Sequence, residues 1–467
     1  MAFSKPKTSQ VLGQLSYLLV GLPFAFAFIS WWGFPTLAEW LSLAVFGYKP
    51  LPQTTGLIWR IVVGFFYSWF TFLAIGIAGL LAIGAWISRQ KTKVRKMEFY
   101  PMVSFVVPAF NEEKQLPQCI GSLFKCGAEY PGLVEIIVVD DGSTDRSYDI
   151  ACVNVKLNAQ RFAGIRGRVI RYMINLGKAE ALRAGVNGAL GQIIGIVDAD
   201  SWWESDSLRM LVEYMKANGK AAVTGYVHPS DGEWEENPYI ALQQLEYSQG
   251  LGIFRCAQAL VNSVLVIPGA IGLFNAEVLR DLLNTERLQS VTEDFEVTLK
   301  LQKKGYKVGY LETGRCGTVA PRNFSSFWKQ RSRWFVGWLH NTLEIHRDAL
   351  LSRRWLGLLL VYILTFEYVG AFVELAAIIS FPFLFWFAPD RILFILNMLW
   401  FGAYSLILGV ALQAVALRFA YGDYNHKRLL YYTPFYVILR IINLWARVVG
   451  SVRYIFGFKG GWERRNR

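Results

Sequence analysis

Two carboxylates, Asp198 and Asp200, close the apolar run Ile193-Ile194-Gly195-Ile196-Val197, and a run so rich in β-branched residues reads as a buried parallel strand. Positions i and i+2 of a strand share a side. The two acids are therefore predicted to converge at the strand's C-terminal end, where open α/β sheets hold their ligands. Hard oxygen donors on short arms suit Mg2+ or Mn2+, ions that accompany phosphate substrates. Asp-x-Asp alone is also an ordinary acidic turn, so the pair needs company. Company comes from Asp140-Asp141-Gly142-Ser143-Thr144-Asp145 after another apolar run, from Gly177-Lys178 ahead of an Ala-rich stretch, and from Thr292-Glu293-Asp294. Lys178 opens a helix, and a helix N-terminus attracts anions.

The elements that must position these residues alternate strand and helix from about Met102 to Val319. Strands are predicted at Val103–Val107, Glu135–Val139, Val169–Ile174 and the run before Asp198. Helices are predicted to open at Asn111-Glu112-Glu113, to be N-capped by Ser143 or Thr144, to cover Ala179–Leu190, and to run from Thr292 to about Lys304. Such alternation specifies an α/β fold with a parallel, doubly wound sheet and right-handed crossovers. Pro268-Gly269-Ala270-Ile271-Gly272 reads as a flexible loop, and Pro321 marks a boundary. Beyond it, Phe324, Phe327, Trp328, Phe335, Trp338 and Leu339 make an apolar stripe at helical spacing, while Gln330, Arg333 and Trp334 share another face. Flanking basic residues suggest that this helix, within 321–354, lies along a membrane interface.

Composition supports a membrane setting. The 467 residues are 54% hydrophobic and 15% aromatic, with a mean hydropathy of +0.30, which is unlike an ordinary soluble chain. Apolar segments cluster near both ends: about 11–33 and 61–88 within an N-terminal membrane region 1–98, then about 355–388 and 392–420 within 355–467. The first is too long for a signal-peptide core and another span follows, so it is read as an anchor. Arg89, Lys91, Lys93, Arg95 and Lys96 directly follow the second span, which makes that end cytosolic and the region 99–320 a cytosolic domain in a multi-pass protein of the cell membrane. Glu367 and Glu374 fall inside the third span. The segment at about 433–458 carries a polar stripe, Tyr436, Arg440, Asn443, Arg447 and Ser451, and reads as either an interfacial or a channel-lining helix. The net charge of +13 gathers beside apolar segments, so it is assigned to membrane lipids and not to nucleic acid. Five scattered cysteines without a C-x-x-C pair fit a reduced compartment, and the four histidines show no metal-ligand spacing.

Taken in order, Val107-Pro108-Ala109-Phe110-Asn111-Glu112-Glu113, Val139–Asp145, Asn175-Leu176-Gly177-Lys178-Ala179-Glu180-Ala181-Leu182, Asp198-Ala199-Asp200, Thr292-Glu293-Asp294 and Gln330-Arg331-Ser332-Arg333-Trp334 resemble the family 2 glycosyltransferases of GT-A fold, with the motifs D, DxD, TED and QxxRW. The resemblance covers about Met102 to Leu343. Lys329–Trp334, after a Trp-containing helix, is most similar to bacterial poly-N-acetylglucosamine synthases; hyaluronan, chitin and cellulose synthases are the wider set.

The resemblance implies a UDP-sugar donor, UDP-GlcNAc or UDP-glucose being favoured, and a growing polysaccharide as acceptor. Pro108, Ala109, Glu112, Asp140 and Asp141 would form the base crevice, where an acidic side chain accepts the uracil imide N–H. Lys178 would attend the phosphates, and Asp198 and Asp200 would hold Mg2+ or Mn2+. Asp294, beside Glu293, would be the general base of an inverting transfer. Arg331 and Arg333 would meet the departing diphosphate, with Gln330 as a polar contact and Trp334 as a stacking face for the acceptor. Two other readings stand beside this one: transfer of one sugar to a membrane lipid, and an inactive export scaffold. A small membrane or export partner is compatible with any of them. Phe295-Glu296-Val297-Thr298-Leu299-Lys300 also fits FxVTxK, a gating-loop pattern of cellulose synthases, but it precedes QxxRW instead of following it and is read as coincidence.

Overall fold

The computed structural model describes residues 33 and 35–49, part of 61–78, and then 79–230, 237–352, 354–388, 390–421 and 427–458. The chain divides into two compact units, 1–84 with 373–434 and 85–372 with 435–467. The predicted first span lies outside the described residues save for Gly33, and the second is described in part, ending in the helix Gly79–Lys91.

The larger unit is built on an eight-stranded sheet of order β3-β2-β1-β4-β7-β6-β8-β5. Strands β1 (Val103–Ala109), β2 (Val134–Asp141), β3 (Arg166–Tyr172) and β4 (Ile193–Ile196) are parallel, and their connections carry α1 (Leu116–Glu129), α2 (Ser147–Arg161) and α3 (Lys178–Gly188). Every residue of β1 and β2 is buried, which is why apolar residues dominate both. Leu116, Ile120, Leu123 and Phe124 of α1 enter the same core, and each such side chain contributes roughly 1.5–3 kcal/mol by burial. These elements exist to bring strand ends together. Ala109 at the end of β1 lies opposite Asp140 at the end of β2.

The far half departs from the all-parallel expectation. After α4 (Ser207–Ala217), β6 (Ala222–Ser230) and α5 (Pro238–Tyr247), the chain enters β7 (Gly272–Asn275), which runs antiparallel to both β4 and β6. The physical cause is the loop at Pro268–Ile271. The Asp198 N–H donates to the Gly269 carbonyl at 2.8 Å, so β7 starts at the end where β4 finishes and can only run back. β8 (Val308–Val319) follows α6 (Ala276–Thr285) and α7 (Glu293–Lys303); it is parallel to β6, and short β5 (Ser201–Trp203) is antiparallel to it.

Local boundaries shift for reasons of hydrogen bonding. The helix predicted to open at Asn111 begins at Leu116, because Asn111 takes a left-handed φ of 57° in a tight turn. α2 begins at Ser147, where Asp145 Oδ1 accepts the Ser147 N–H at 2.9 Å; Ser143 is not its cap, since its Oγ accepts the Asn111 N–H instead. β3 stops at Tyr172, leaving Met173 and Ile174 exposed.

After β8 comes α8 (Phe324–His340), N-capped by Asn323, whose Oδ1 accepts the Ser326 N–H at 3.0 Å. A π-helical turn, Asn341–Ile345, continues it. Among the described residues, three helices are long and apolar enough to cross a membrane: Trp355–Phe387, Arg391–Tyr421 and Thr433–Ile455. The last contains α9 (Tyr436–Ile455), whose polar stripe is packed in part inside the larger unit, with Arg440 exposed. Asn443 and Ser451 are buried, and Arg447 pairs with Glu367 and lies 5.1 Å over the Phe335 ring of α8. In the smaller unit the Tyr67 hydroxyl donates to the Asn397 carbonyl at 3.1 Å, and Tyr48 to Asp390.

Candidate active site

At the C-terminal ends of the parallel strands, the turn after β1 and the loop after β2 are laced together. Thr144 N–H donates to Asn111 Oδ1 at 2.8 Å, and Glu112 N–H to Ser147 Oγ at 2.8 Å. Pro108 and Ala109 end β1 beside this seam, and Asp140 is almost fully buried there. Neither carboxylate oxygen of Asp140 has a hydrogen-bond partner among the described residues, although Arg171 Nε stands 3.6 Å from Oδ2. Asp141 faces a different task. Its oxygens accept the Leu176 and Gly177 N–H groups, each at 2.8 Å, and so fix the loop that delivers Lys178. The adjacent acids, grouped together on sequence, are thus one open carboxylate and one loop anchor. Burial raises the Asp141 pKa, opposed by those two N–H groups.

Lys178, the first residue of α3, is the centre of the site. Its Nζ lies 2.7 Å from Asp198 Oδ1 and 2.6 Å from Glu293 Oε1, tying the DxD turn to the start of α7. Burial works against its charge, but Asp198 and Glu293 outweigh burial and raise its pKa, keeping it protonated. Asp294 lies beside this bridge. Lys178, Ile267, Gly269, Glu293, Asp294 and Val297 line a small cavity.

Asp198 and Asp200 are brought together by a turn and not by strand periodicity, since β4 ends at Ile196. The Ser201 N–H donates to the Asp198 carbonyl at 3.0 Å, closing the turn. Asp200 Oδ1 accepts from Ser201 Oγ at 3.1 Å and from Thr318 Oγ1 at 3.4 Å. The backbone of Gly269 closes one side: a Cβ there would come within 2.5 Å of Asp198 Oδ1, so any side chain would displace the carboxylate. Burial and then the charge of Asp198 push Asp200 up to about 6. Two repelling, desolvated carboxylates suit a divalent cation. Among the described residues no group of three or more His, Cys, Asp or Glu is placed to hold a metal ion by itself. Protein would thus supply two ligands, leaving the rest to phosphate oxygens and water, the usual manner of Mg2+. The residues fit such an ion.

Asp294 is pushed up to about 6, by burial first and by Glu293 second, with Lys178 pulling the other way. Its helix is tightly fixed. Thr298 Oγ1 donates to the Asp294 carbonyl at 2.7 Å and accepts the Ile267 N–H at 3.0 Å, clamping α7 to the cavity loop. Glu296 accepts the Gln289 and Ser290 N–H groups at 2.8 and 2.7 Å and pairs with Lys300 at 2.9 Å. Phe295 stacks on Trp338, centroids 5.3 Å apart. Four residues of the FxVTxK match are therefore occupied in seating α7.

α8 closes on α7 at Gly337, where a Cβ would meet Thr292 Oγ1 and Cγ2 at 2.7 Å. Asn341, fully buried, donates through Nδ2 to Ser290 Oγ at 2.8 Å, to Thr292 Oγ1 at 3.0 Å and to the Gly337 carbonyl at 3.1 Å. Of the QxxRW residues, Gln330 and Trp334 are half-buried and Arg333 is exposed. Arg331, expected at the departing diphosphate, is engaged by protein side chains in this structure. It is buried, its Nη2 is 2.5 Å from Glu246 Oε2, and its guanidinium lies 4.4 Å over Trp334 and 4.6 Å over Phe327. Sequence reading missed Gly269, Thr298, Asn341 and Glu246. The Gly337-to-Asn341 spacing of i, i+4 was the available sign for one of them; Glu246, 85 residues before its partner, offered none.

Residues 104–283 match the model of Glycosyl transferase family 2. Together with the strand order, this makes the segment a family 2 glycosyltransferase domain of GT-A architecture. Among relatives, the chain is 28% identical over 278 residues to the poly-beta-1,6-N-acetyl-D-glucosamine synthase of Staphylococcus epidermidis, covering 58% of this chain and 61% of that one. It is 26% identical over 276 residues to the enzyme of the same name from Staphylococcus aureus strain COL, covering 57% and 61%. The matched region thus spans about three-fifths of these curated relatives. Among solved structures, the mannosyltransferase PcManGT from Pyrobaculum calidifontis, in complex with GDP-Man and Mn2+, aligns over 81% of this chain and 95% of that one, at 17% identity and a TM-score of 0.48.

Proposed function

We propose that the protein is a membrane-embedded, inverting glycosyltransferase that extends a β-linked polysaccharide from a UDP-sugar on the cytosolic side. The observation that carries the reading is the meeting of Asp198 and Glu293 on the Lys178 ammonium, with Asp294 beside them in the cavity that Lys178 and Glu293 line. Asp140, buried and with both oxygens open, accepts the uracil imide N–H at the strand ends. Asp198 and Asp200 hold Mg2+ or Mn2+, which when bound offsets the charge developing on the departing diphosphate. Lys178, kept protonated by its two acidic neighbours, adds a fixed cation beside the same phosphates. Asp294 takes the proton from the acceptor hydroxyl as that oxygen attacks the anomeric carbon. A group pushed up to about 6 is ionised at neutral pH yet far more basic than an ordinary Asp. One base and one in-line attack invert the anomeric centre, so an α-linked donor gives a β-glycoside. Trp334 supplies the acceptor's stacking face, and the three apolar helices fit a polymer made at a membrane.

Purified protein with Mg2+ or Mn2+, offered a panel of UDP-sugars, is expected to release UDP, most readily from UDP-GlcNAc or UDP-glucose, and to yield β-linked oligomers by mass spectrometry. No UDP release across the panel overturns the enzymatic reading. Products carrying a single sugar on a lipid overturn polymerisation alone.

A further inference from the structure

Arg331 stacks its guanidinium on one face of the Trp334 indole, 4.4 Å from the ring centre, and is itself held by Glu246. Glu246 has a second partner: its Oε1 accepts from Asn443 Nδ2 of α9 at 2.9 Å. Asn443 and Arg331 are both buried, at 6% and 4% exposure, so the relay is not a solvent-averaged surface contact. A planar cation against an aromatic face, fixed by a charge-assisted hydrogen bond, defines the plane of the ring. It also covers one face of the indole, so a sugar would have to stack on the other. We propose that Glu246 and Asn443 are positioning residues for the acceptor. Through Arg331 they set the plane of Trp334, and α9 thereby governs how firmly the acceptor end of the chain is held. This rests on the reading of Trp334 as the acceptor's stacking face.

Three consequences follow from the geometry. Loss of the relay weakens acceptor binding and leaves the donor site intact, because Asp141, Lys178 and Asp198 are held by other partners. A more weakly held chain leaves sooner, so products shorten. An amide at position 246 keeps one acceptor oxygen but loses the charge that assists the bond to Arg331, so it retains only part of the function.

The test measures acceptor KM, donor KM, UDP affinity and product length for wild type, Glu246→Ala, Glu246→Gln, Asn443→Ala and Asn443→Gln. The acceptors are β-linked oligosaccharides isolated from the wild-type reaction, or the glycosylated lipid if that is the wild-type product. Asn443→Ala is expected to raise acceptor KM about five- to tenfold, the worth of one ordinary hydrogen bond. Donor KM and UDP affinity should stay within about twofold, and polymer length should fall. Glu246→Ala exceeds this effect, Glu246→Gln lies between, and Asn443→Gln recovers part. Asn443→Ala removes one hydrogen bond only, so it remains informative if Glu246→Ala does not fold. Unchanged acceptor KM in a folded variant overturns the proposal, as does an equal loss in donor and acceptor parameters. A wild type that makes only single-sugar lipid overturns polymerisation but leaves the acceptor KM comparison decisive.

Discussion

The proposed donor and acceptor halves of the larger unit solve the same problem by different means. On the donor side, functional side chains stand at strand ends and are fixed by the backbone: Asp141 by the Leu176 and Gly177 N–H groups, and the DxD turn by the Gly269 carbonyl. On the acceptor side, Asp294 and Trp334 stand on helices fixed by side chains distant in sequence, namely Asn341, Trp338 and the Glu246–Arg331 pair. Backbone anchoring tolerates side-chain change, whereas side-chain anchoring fails one residue at a time. Lys178 joins the two halves, with one contact to Asp198 and one to Glu293. Substitutions should therefore separate into losses of chemistry, losses of the link, and losses of acceptor geometry.

The largest effect is expected at Asp294. Replacement by Asn keeps the shape and removes the proton acceptor, and a positioned base is worth about 10²–10⁴-fold in rate. Asp294→Asn should lose transfer on that scale and still bind UDP, as measured by calorimetry. Full activity in this variant would remove the assigned base. Next comes Lys178→Met, which leaves Asp198 and Glu293 facing each other without their shared cation. A fall in kcat/KM of about a hundredfold is expected, as for loss of one preorganised charge-stabilising donor. UDP-sugar binding should weaken as well. That combined loss marks the link; a defect in acceptor KM alone would place Lys178 with the acceptor half.

The same contrast explains what the sequence revealed. Asp198, Lys178 and Asp294 were legible because strand–helix alternation forces strand ends, and the loops leaving them, to one edge of the sheet. Even there the mechanism differed in detail, since β4 ends before Asp198 and a turn does the converging. The antiparallel β7 was not legible, because its direction depends on where the Pro268–Ile271 loop closes and four residues carry no sign of that. Arg331 was read toward a diphosphate although it lies four residues after Phe327, on the buried face of α8. A basic residue on an apolar face demands a buried acid, and Glu246 could be located only in three dimensions.

A smaller effect is expected at Asn341, the bolt between α7 and α8. Asn341→Ala leaves Ser290 and Thr292 without their shared donor and should cost about 1–3 kcal/mol of stability. If acceptor-side geometry depends on that bolt, kcat falls about tenfold with donor KM unchanged. Thermal unfolding together with steady-state kinetics checks both. Lost stability with unaltered kcat would make Asn341 a packing residue and weaken the distinction between the halves.

The finest test concerns pH. Asp294 acts only when ionised, and with its pKa pushed up to about 6 the rate should fall as pH drops through that value. Glu293 is one cause of the elevation, so Glu293→Gln should move the acid limb to lower pH. Two consequences of the substitution have the same sign. Removing the neighbouring negative charge eases ionisation of Asp294, and freeing Lys178 from one of its two carboxylates leaves more of its positive field for Asp294. The shift should be about one unit or less, since burial is the larger cause and remains. Rates measured from about pH 5 to pH 8 with saturating donor and acceptor resolve it. An acid limb that stays in place in an active Glu293→Gln variant would mean that the group titrating in wild type is not Asp294.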